Sequence, residues 1–165
     1  MKNILKIIIL LITFVLFLFI FLKMNNEESR KIDSIIETYK TFCGEYKKGE
    51  VEVGDKILQV DIADDDCKRT LGLSGKQSLN DIGMLFVFEK AENYSFWMKD
   101  MNFPIDIVWI DDTFSVVGIE KNLSPSTYPK SYGREYKALY VLEVQANFSE
   151  KNNIKITDKI TFTQK

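Results

Sequence analysis

Two acidic side chains stand inside apolar segments that alternate like β-strands. Asp106 lies within IDIVWI, Glu143 lies within LYVLEV, and Lys99 ends the segment YSFWMK. An isolated charge is costly to bury, so each carboxylate needs a partner, and Lys99 is the natural candidate. Two carboxylates about 5 to 10 Å apart across a cleft could instead act as the acid and the base of a hydrolase.

These groups could form one small polar site walled by aromatic and methionine side chains. A tryptophan ring beside carboxylates suits a sugar or another small polar ligand, because the ring stacks while the carboxylates accept hydroxyl protons. We expect the candidate residues to converge at one end of a sheet: Trp97, Lys99, Asp106 and Glu143, with Met84 and Met98 in the wall. The alternative is a buried ion pair that only fixes the strand register.

The composition excludes several classes of site and partner. The sequence has no histidine and two cysteines, which rules out a Ser-His-Asp triad, a Cys-His pair and a tetrahedral zinc site, and no cofactor is predicted. Three of the 22 basic residues and none of the 24 acidic ones lie in the first 23 residues, which leaves a formal charge of −5 on the rest. Nucleic acid is therefore not an expected partner, since phosphate binding needs a basic surface.

The first 23 residues have the character of a membrane anchor. The run from Ile7 to Leu22 has no charged residue and, with its flanks, approaches the roughly 20 residues that cross a bilayer. Lys2 and Lys6 precede the run, whereas acidic residues soon follow Lys23, so the positive-inside rule places the N-terminus in the cytoplasm. The sequence thus predicts a single-pass protein of the cytoplasmic membrane with its domain on the extracytoplasmic side.

A cleaved secretory signal is the alternative to an anchor. The residues at the end of the run, IFLKMNN, lack the small side chains that a signal peptidase needs and include no cysteine for lipid attachment. Residues 24–54 are predicted to form a juxtamembrane amphipathic helix and a linker, with apolar side chains at helical spacing at Ile32, Ile35, Ile36 and Tyr39. The globular domain is predicted to span residues 55–165.

The remaining sequence is rich in β-branched and aromatic residues separated by Asn, Asp, Gly and Pro. This pattern predicts short strands at residues 56–62, 84–88, 94–99, 105–110, 115–120, 138–144 and 159–162. A short helix is predicted between the acidic run Asp64–Asp66 and Gly72. The fold class is therefore mainly β (α+β), with a compact antiparallel or mixed sheet in a barrel or sandwich and one or two short helices. The longest connection, residues 122–137, is predicted to be a mobile surface loop.

The two cysteines, Cys43 and Cys67, could pair in an oxidising compartment. A disulfide here would close a loop and stabilise the fold by roughly 3 kcal/mol on the chain-entropy model. Each cysteine could instead be a small buried apolar side chain. The spacing does not decide between the two.

Four motifs follow one another in the domain: GMLF at 83–86, FWMK at 96–99, PIDI at 104–107 and VLEV at 141–144. Their combination resembles the bacterial and archaeal family called domain of unknown function 192, from about Ile57 to Phe162. The resemblance implies a compact, mainly β domain with a short helix, often exported or membrane-attached, and it implies no established reaction. The sequence departs from the family pattern at Met101, where many members carry Thr, and at Asn147, where Gly is common.

These observations favour a membrane-tethered module that binds a small polar or carbohydrate-like ligand. The second hypothesis is a structural or interaction domain that recruits a protein of the cell envelope through an exposed edge or the 122–137 loop. The third is a hydrolase that uses Asp106 and Glu143 as acid and base. No nucleophile and activating base can be named together, which disfavours an enzyme.

Overall fold

The structure is a computed structural model that describes residues 23–24, 26–27, 30–31, 34, 38, 41–54 and 56–164. The chain divides into two units, Met1–Phe42 and Cys43–Lys165. The described residues of the first unit are helical, whereas the predicted anchor and the predicted apolar positions Ile32, Ile35, Ile36 and Tyr39 lie outside the described residues. Within the described part of the chain, no helix has the length and apolar character needed to cross a membrane.

The described residues of the second unit form nine strands and two short α-helices. The strands are β1 (Lys47–Val53), β2 (Lys56–Ala63), β3 (Gly83–Asn93), β4 (Phe96–Trp97), β5 (Ile105–Ile110), β6 (Val116–Leu123), β7 (Ser131–Tyr132), β8 (Lys137–Gln145) and β9 (Ile160–Gln164). The helices are α1 (Asp66–Leu71) and α2 (Phe148–Lys151), and Pro125–Thr127 form a 3-10 turn.

Seven of the strands form one mixed sheet, in the order β6-β5-β8-β3-β2-β1-β9. Neighbouring strands are antiparallel except β2 and β3, which are parallel and are connected through α1. A parallel pair needs such a crossover, because a tight turn can join only antiparallel strands. The prediction of a mainly β fold with a mixed sheet and few short helices is therefore confirmed.

The predicted barrel or sandwich is replaced by an open sheet. Among the described residues, the edge strands β6 and β9 approach each other only at their ends, through a bridge between Ser115 and Lys159. The backbone of β9 instead pairs with β1 over five residues, which leaves β6 without a second ladder. The other sheet consists of the two-residue strands β4 and β7 and is too small to form a second layer.

Most of the predicted strands are found close to their expected positions. The segment 105–110 coincides with β5, and the segment 138–144 lies within β8. Strand β1 was not expected, because Gly49 and Gly54 indicate turns in the stretch that the sequence assigns to a linker. Gly49 instead lies inside β1, where an added Cβ would approach the Thr163 carbonyl oxygen of β9 to 2.8 Å. The glycine thus allows two backbones to come close.

The segment YSFWMK is a strand only at Phe96 and Trp97, where it pairs with β7. The following residues are held as a loop. The Ser74 hydroxyl donates to the Lys99 carbonyl oxygen at 3.2 Å, and the Gly75 N–H donates to the Asp100 carbonyl oxygen at 2.8 Å. Aromatic residues here pack onto the sheet from outside, which explains a strand-like composition without a long strand ladder.

Both faces of the large sheet are buried, and successive residues of a strand point to opposite faces. Asp106 on β5 pairs with Val144 on β8, and the next pair is Ile107 with Glu143. One face, here called the aliphatic face, carries a core that includes Leu85, Val108, Leu142 and Val144. The other face, here called the aromatic face, carries a core that includes Met84, Phe86, Ile107 and Trp109. Asp106 and Glu143 therefore lie on opposite faces of the sheet.

Asp106 is fully buried, with 0% of its surface exposed. Its Oδ1 accepts hydrogen bonds from the backbone N–H groups of Asn122 (2.8 Å) and Asn147 (3.2 Å), and its Oδ2 accepts one from Ser149 (2.9 Å). These donors belong to β6, to the turn that enters α2 and to α2 itself. Asn147 has a φ of 68°, a left-handed conformation that asparagine tolerates better than most residues. Three backbone donors, rather than a lysine, thus satisfy this carboxylate.

The two cysteines form a disulfide. The Cα atoms of Cys43 and Cys67 are 5.5 Å apart, and 24 positions separate them in the sequence. The bond joins the segment that precedes β1 to the first turn of α1. The alternative of two small buried apolar side chains is therefore excluded.

Replacing Asp106 with Asn is expected to lower the free energy of unfolding by roughly 2 to 4 kcal/mol. The amide keeps one acceptor oxygen but turns an NH2 group towards at least one of the three backbone donors. Urea denaturation followed by tryptophan fluorescence measures the difference. The matched control is Asp112→Asn at an exposed position, which should change stability by less than about 0.5 kcal/mol. Equal stabilities of the two variants would contradict the anchoring role of Asp106.

Replacing Cys43 and Cys67 together with Ser is expected to lower the free energy of unfolding of the oxidised protein by roughly 3 kcal/mol. The loss arises because the unfolded chain regains the conformations that the closed loop forbids. Adding a reductant to the wild type should reproduce the loss and should leave the double variant unchanged. A wild type insensitive to reductant would show that the bond does not form in solution.

Candidate functional site

A cavity of about 470 Å³ opens on the aromatic face of the sheet, against α1. Its lining residues come from α1 and the turn after it, from β3, from residues 94–101 and from β8. Helix α1 begins where predicted, because the Asp65 carboxylate accepts a hydrogen bond from the Lys68 N–H at 2.8 Å. It ends at Gly72, whose φ of 50° favours glycine. The chain therefore turns sharply over the sheet and encloses the cavity.

Aromatic rings form much of the cavity wall, at Phe86, Phe88, Tyr94, Phe96 and Trp97. Phe86 and Phe96 meet edge to face, with ring centroids 4.8 Å apart. Trp97 is 53% exposed and contacts the ring of Tyr128, itself 45% exposed, at a centroid distance of 5.8 Å. The wall is thus apolar inside and ends in an exposed indole ring.

Two cationic side chains also line the cavity. The Arg69 guanidinium donates to the Asp66 carboxylate at 2.7 Å and to the Val87 carbonyl oxygen at 2.7 Å. The Lys99 ammonium lies 5.8 Å from the centre of the Trp97 ring. Among the described residues, no acidic side chain forms an ion pair with Lys99. Arg69 is therefore held by the protein, whereas Lys99 keeps its donors for solvent or a ligand.

Glu143 contributes from β8, on the sheet side of the cavity, and is only 5% exposed. Burial raises the pKa of its carboxyl group from the ordinary 4.5 to about 8. Across the described part of the chain, no group donates a hydrogen bond to this carboxyl and no cation pairs with it. Buried polar groups nearly always have a partner, so an unpartnered carboxyl facing a cavity marks a place for a ligand.

A second buried polar group, the hydroxyl of Tyr46, belongs to a ring that packs against the core of the aromatic face. The Tyr46 hydroxyl is buried and has no hydrogen-bond partner among the described atoms. Burial and then the charges of Asp61, Asp65 and Glu143 raise the pKa of Tyr46 to about 12. Asp61 itself is paired with Lys76 at 3.3 Å. Carboxylates therefore converge on this region from several elements.

The structure brings three of the predicted site residues together. Trp97, Lys99 and Glu143 all line the cavity. Asp106 does not join them, because it lies on the aliphatic face with both oxygens occupied by backbone donors. The predicted convergence of all four residues is therefore wrong, and the geometry excludes Asp106 and Glu143 as an acid and base acting on one substrate.

The predicted methionine wall is also wrong in detail. Met84 and Met98 are 0% and 1% exposed and belong to the core of the aromatic face rather than to the cavity lining. Met101 lines the cavity instead. It was noted in the sequence only because many related sequences carry Thr there. Its apolar side chain extends the aromatic wall.

Sequence reasoning missed two residues of this region. Tyr46 falls in the stretch predicted as a linker, and Arg69 looks like any charged residue of a short surface helix. The one sequence signal for Arg69 is its spacing of three from Asp66, which matches their ion pair. Among the described side chains, no group of three His, Cys, Asp or Glu residues could hold a metal ion. The cavity lining offers hydrogen-bond donors, aromatic rings and the carboxyl groups of Asp66 and Glu143.

The sequence matches a family model, DUF192, described as uncharacterized ACR, over residues 48–162. The chain belongs to the DUF192 family. This match confirms the resemblance carried by the four motifs. It reaches from β1 to β9 and so includes every element that lines the cavity, whereas Cys43 and Tyr46 precede it.

Two crystal structures resemble the DUF192 domain. The first is of a protein from Sinorhizobium meliloti 1021 that is named as a candidate transcription regulator. The two sequences are 24% identical, the superposition covers 72% of this chain and 96% of the other, and the TM-score is 0.64. The second is of a protein of unknown function from Novosphingobium aromaticivorans DSM 12444. The two sequences are 22% identical, the superposition covers 69% of this chain and 83% of the other, and the TM-score is 0.62. At these identities the likeness shows the fold alone. No curated protein sequence matches the chain.

The unpartnered Glu143 predicts that the DUF192 domain loses stability as the pH rises. The folded protein keeps this proton up to about pH 8, whereas the unfolded chain releases it near the ordinary value of 4.5. The folded state thus binds more protons between these values, and the free energy of unfolding falls across the interval by at most roughly 5 kcal/mol. Urea denaturation at pH 5, 7 and 9 measures the change.

Glu143→Gln should remove the decrease in the free energy of unfolding with rising pH that Glu143 causes, because an amide does not ionise. The control Glu92→Gln changes an exposed side chain on β3 and should keep the wild-type pH profile. Parallel profiles for the wild type and Glu143→Gln would show that the Glu143 carboxyl does not titrate as its burial requires.

Proposed function

We propose that this DUF192 domain binds a small polar ligand in the cavity beside α1. The observation that carries the proposal is the buried carboxyl of Glu143, which faces the cavity and has no partner among the described residues. A ligand hydroxyl or amine would supply a hydrogen bond that no described residue gives to Glu143. Hydrogen bonds of this kind stabilise a complex most when they relieve an unsatisfied buried group.

The size and lining of the cavity support a ligand of about sugar size. Its volume of about 470 Å³ lies within the roughly 300 to 1,000 Å³ typical of small-molecule sites. The exposed Trp97 ring could stack on one face of such a ligand, and the Lys99 ammonium beside it could donate to an oxygen. This arrangement fits the carbohydrate-like ligand expected from the sequence.

We also propose that the domain works on the extracytoplasmic side of the cytoplasmic membrane, held there by the N-terminal segment. The uncharged run from Ile7 to Leu22 and the preceding Lys2 and Lys6 support this location. The disulfide supports it independently, because such bonds persist mainly in oxidising compartments.

An envelope protein is the second candidate partner. Trp97 and Tyr128 are both exposed and touch each other, which presents a small aromatic surface at the cavity rim. Exposed aromatic side chains are enriched at protein interfaces. This candidate predicts that no small molecule stabilises the domain.

A thermal-shift screen against sugars, polyols, amino sugars and cell-wall fragments tests the proposal. A ligand present at 100 times its dissociation constant should stabilise the wild type by about 2.7 kcal/mol. Trp97→Ala should weaken the affinity for that ligand at least tenfold, because the stacking surface is lost. The control Ile156→Ala removes an equally exposed apolar side chain that does not line the cavity, and it should bind like the wild type.

Two results would count against a small-ligand site. No stabilisation by any member of the panel would favour the envelope partner. Stabilisation that Trp97→Ala leaves unchanged would place the ligand elsewhere on the domain.

A further inference from the structure

We propose that the ligand of this cavity carries a protonated amine, and that the Glu143 carboxylate is its counter-ion. The inference rests on the ligand-binding function proposed above and names the chemical class of the ligand. It follows from what surrounds Glu143, taken group by group.

Glu143 has no partner among the described residues. Its carboxyl lines the cavity, is 5% exposed and receives neither a hydrogen bond nor an ion pair from any described residue. An ammonium group offers both a compensating charge and three donors, whereas a hydroxyl offers one donor and no charge. A buried charged pair that is fully hydrogen-bonded avoids the cost of an isolated buried charge. The ammonium is therefore the group that completes this site.

A second feature is the aromatic wall beside Glu143. Phe86 and Phe96 line the cavity, and aromatic rings attract an ammonium group rather than an anion. The carboxylates of Asp61 and Asp65 are each neutralised by lysine ion pairs, so they supply no counter-ion charge of their own at this position. Glu143 is therefore the acidic group that a cationic ligand would meet beside this wall.

The two cationic side chains of the cavity, Arg69 and Lys99, do not form an ion pair with the Glu143 carboxyl. Arg69 is held by Asp66 and by the Val87 carbonyl oxygen. The Lys99 ammonium lies beside the exposed Trp97 ring, where it can receive an acceptor group at the other end of the ligand. The titratable and charged groups that line the cavity with Glu143 are Asp66, Arg69, Tyr94 and Lys99. Outside the lining, the charge of Glu143 acts on Tyr46, whose other acidic neighbours are paired with lysines: Asp61 with Lys48 and Lys76, and Asp65 with Lys68.

Three six-carbon probes with one carbon skeleton test the inference on the full-length protein: glucamine, a cation; sorbitol, its neutral alcohol; and gluconate, its anion. Calorimetric titration at pH 6 and pH 8 gives the affinities. Glucamine should bind at least tenfold more tightly than sorbitol at pH 8. Its affinity should rise about 50-fold from pH 6 to pH 8, because the ionised fraction of Glu143, with a pKa of about 8, rises from roughly 1% to half while the amine stays protonated.

Two variants make the test specific. Glu143→Gln should abolish both the preference for glucamine and the pH dependence, and it should keep any affinity for sorbitol, because the amide still forms hydrogen bonds. Glu120→Gln is the matched control: Glu120 lies on β6 across from Ile107, on the same face as Glu143, and burial raises its pKa too, but it does not line the cavity. This variant should behave like the wild type.

Each remaining outcome overturns the inference in a distinguishable way. Equal binding of glucamine and sorbitol, unaffected by pH, rejects the amine but keeps the small-ligand function. Preference for gluconate also rejects the amine and points to Lys99 as the dominant group. Absence of binding by all three probes rejects the amine inference, whereas the proposed function is rejected only if the wider panel of the thermal-shift screen also fails to stabilise the domain.

Discussion

Three backbone N–H groups that converge on one buried carboxylate hold the centre of this fold together. Asp106 lies on β5, and its donors come from β6, from the turn into α2 and from α2 itself, so one side chain connects two neighbouring strands with a helix whose Ser149 is 43 residues away. A carboxylate suits this position because its two oxygens accept several hydrogen bonds at once and its charge strengthens each of them. The left-handed Asn147 lets the chain turn so that its own N–H points at this acceptor. The turn into α2 follows directly after β8, so its attachment to Asp106 helps to hold β8 against β5 in the observed register.

The register between β5 and β8 determines which face of the sheet carries the side chain of Glu143. Glu143 pairs with Ile107, one position along from Asp106, and a shift of one residue moves a side chain to the other face of a sheet. Asp106 and Glu143 have similar sequence surroundings, yet one is satisfied by the backbone and the other faces a cavity without a partner among the described residues. Burial alone therefore does not identify a functional group. The contrast between a satisfied and an unsatisfied buried carboxyl is what separates the structural acid from the candidate binding acid.

The elements around the cavity are stabilised more strongly than a six-residue helix would be by itself. Helix α1 is capped by Asp65 at one end and ended by Gly72 at the other, and the disulfide attaches its first turn to the segment before β1. Isolated helices of this length are not stable in water, so these local constraints and the packing on the sheet hold it in place. The free-energy cost of burying the Glu143 carboxyl opposes these stabilising contacts. A domain that keeps such a group is less stable than it could be, which is common where a site needs a group held away from water.

The amino-acid sequence is sufficient to predict the mainly β character, most strand positions, the limits of α1 and the family, because alternation, capping residues and short motifs are local properties of the chain. It also singled out Trp97, Lys99 and Glu143, since charged and aromatic residues in apolar strands are visible without coordinates. The sequence did not predict strand β1, because Gly49 indicates a turn when the close approach of β9 is not known. Three features became evident only in the folded chain: the pairing of Cys43 with Cys67, the position of Tyr46 and the separation of Asp106 from Glu143. Each of these features depends on which strands lie side by side and in which register. A register shift of one residue moves every side chain of a strand to the opposite face, so the register cannot be deduced from the sequence of one strand alone.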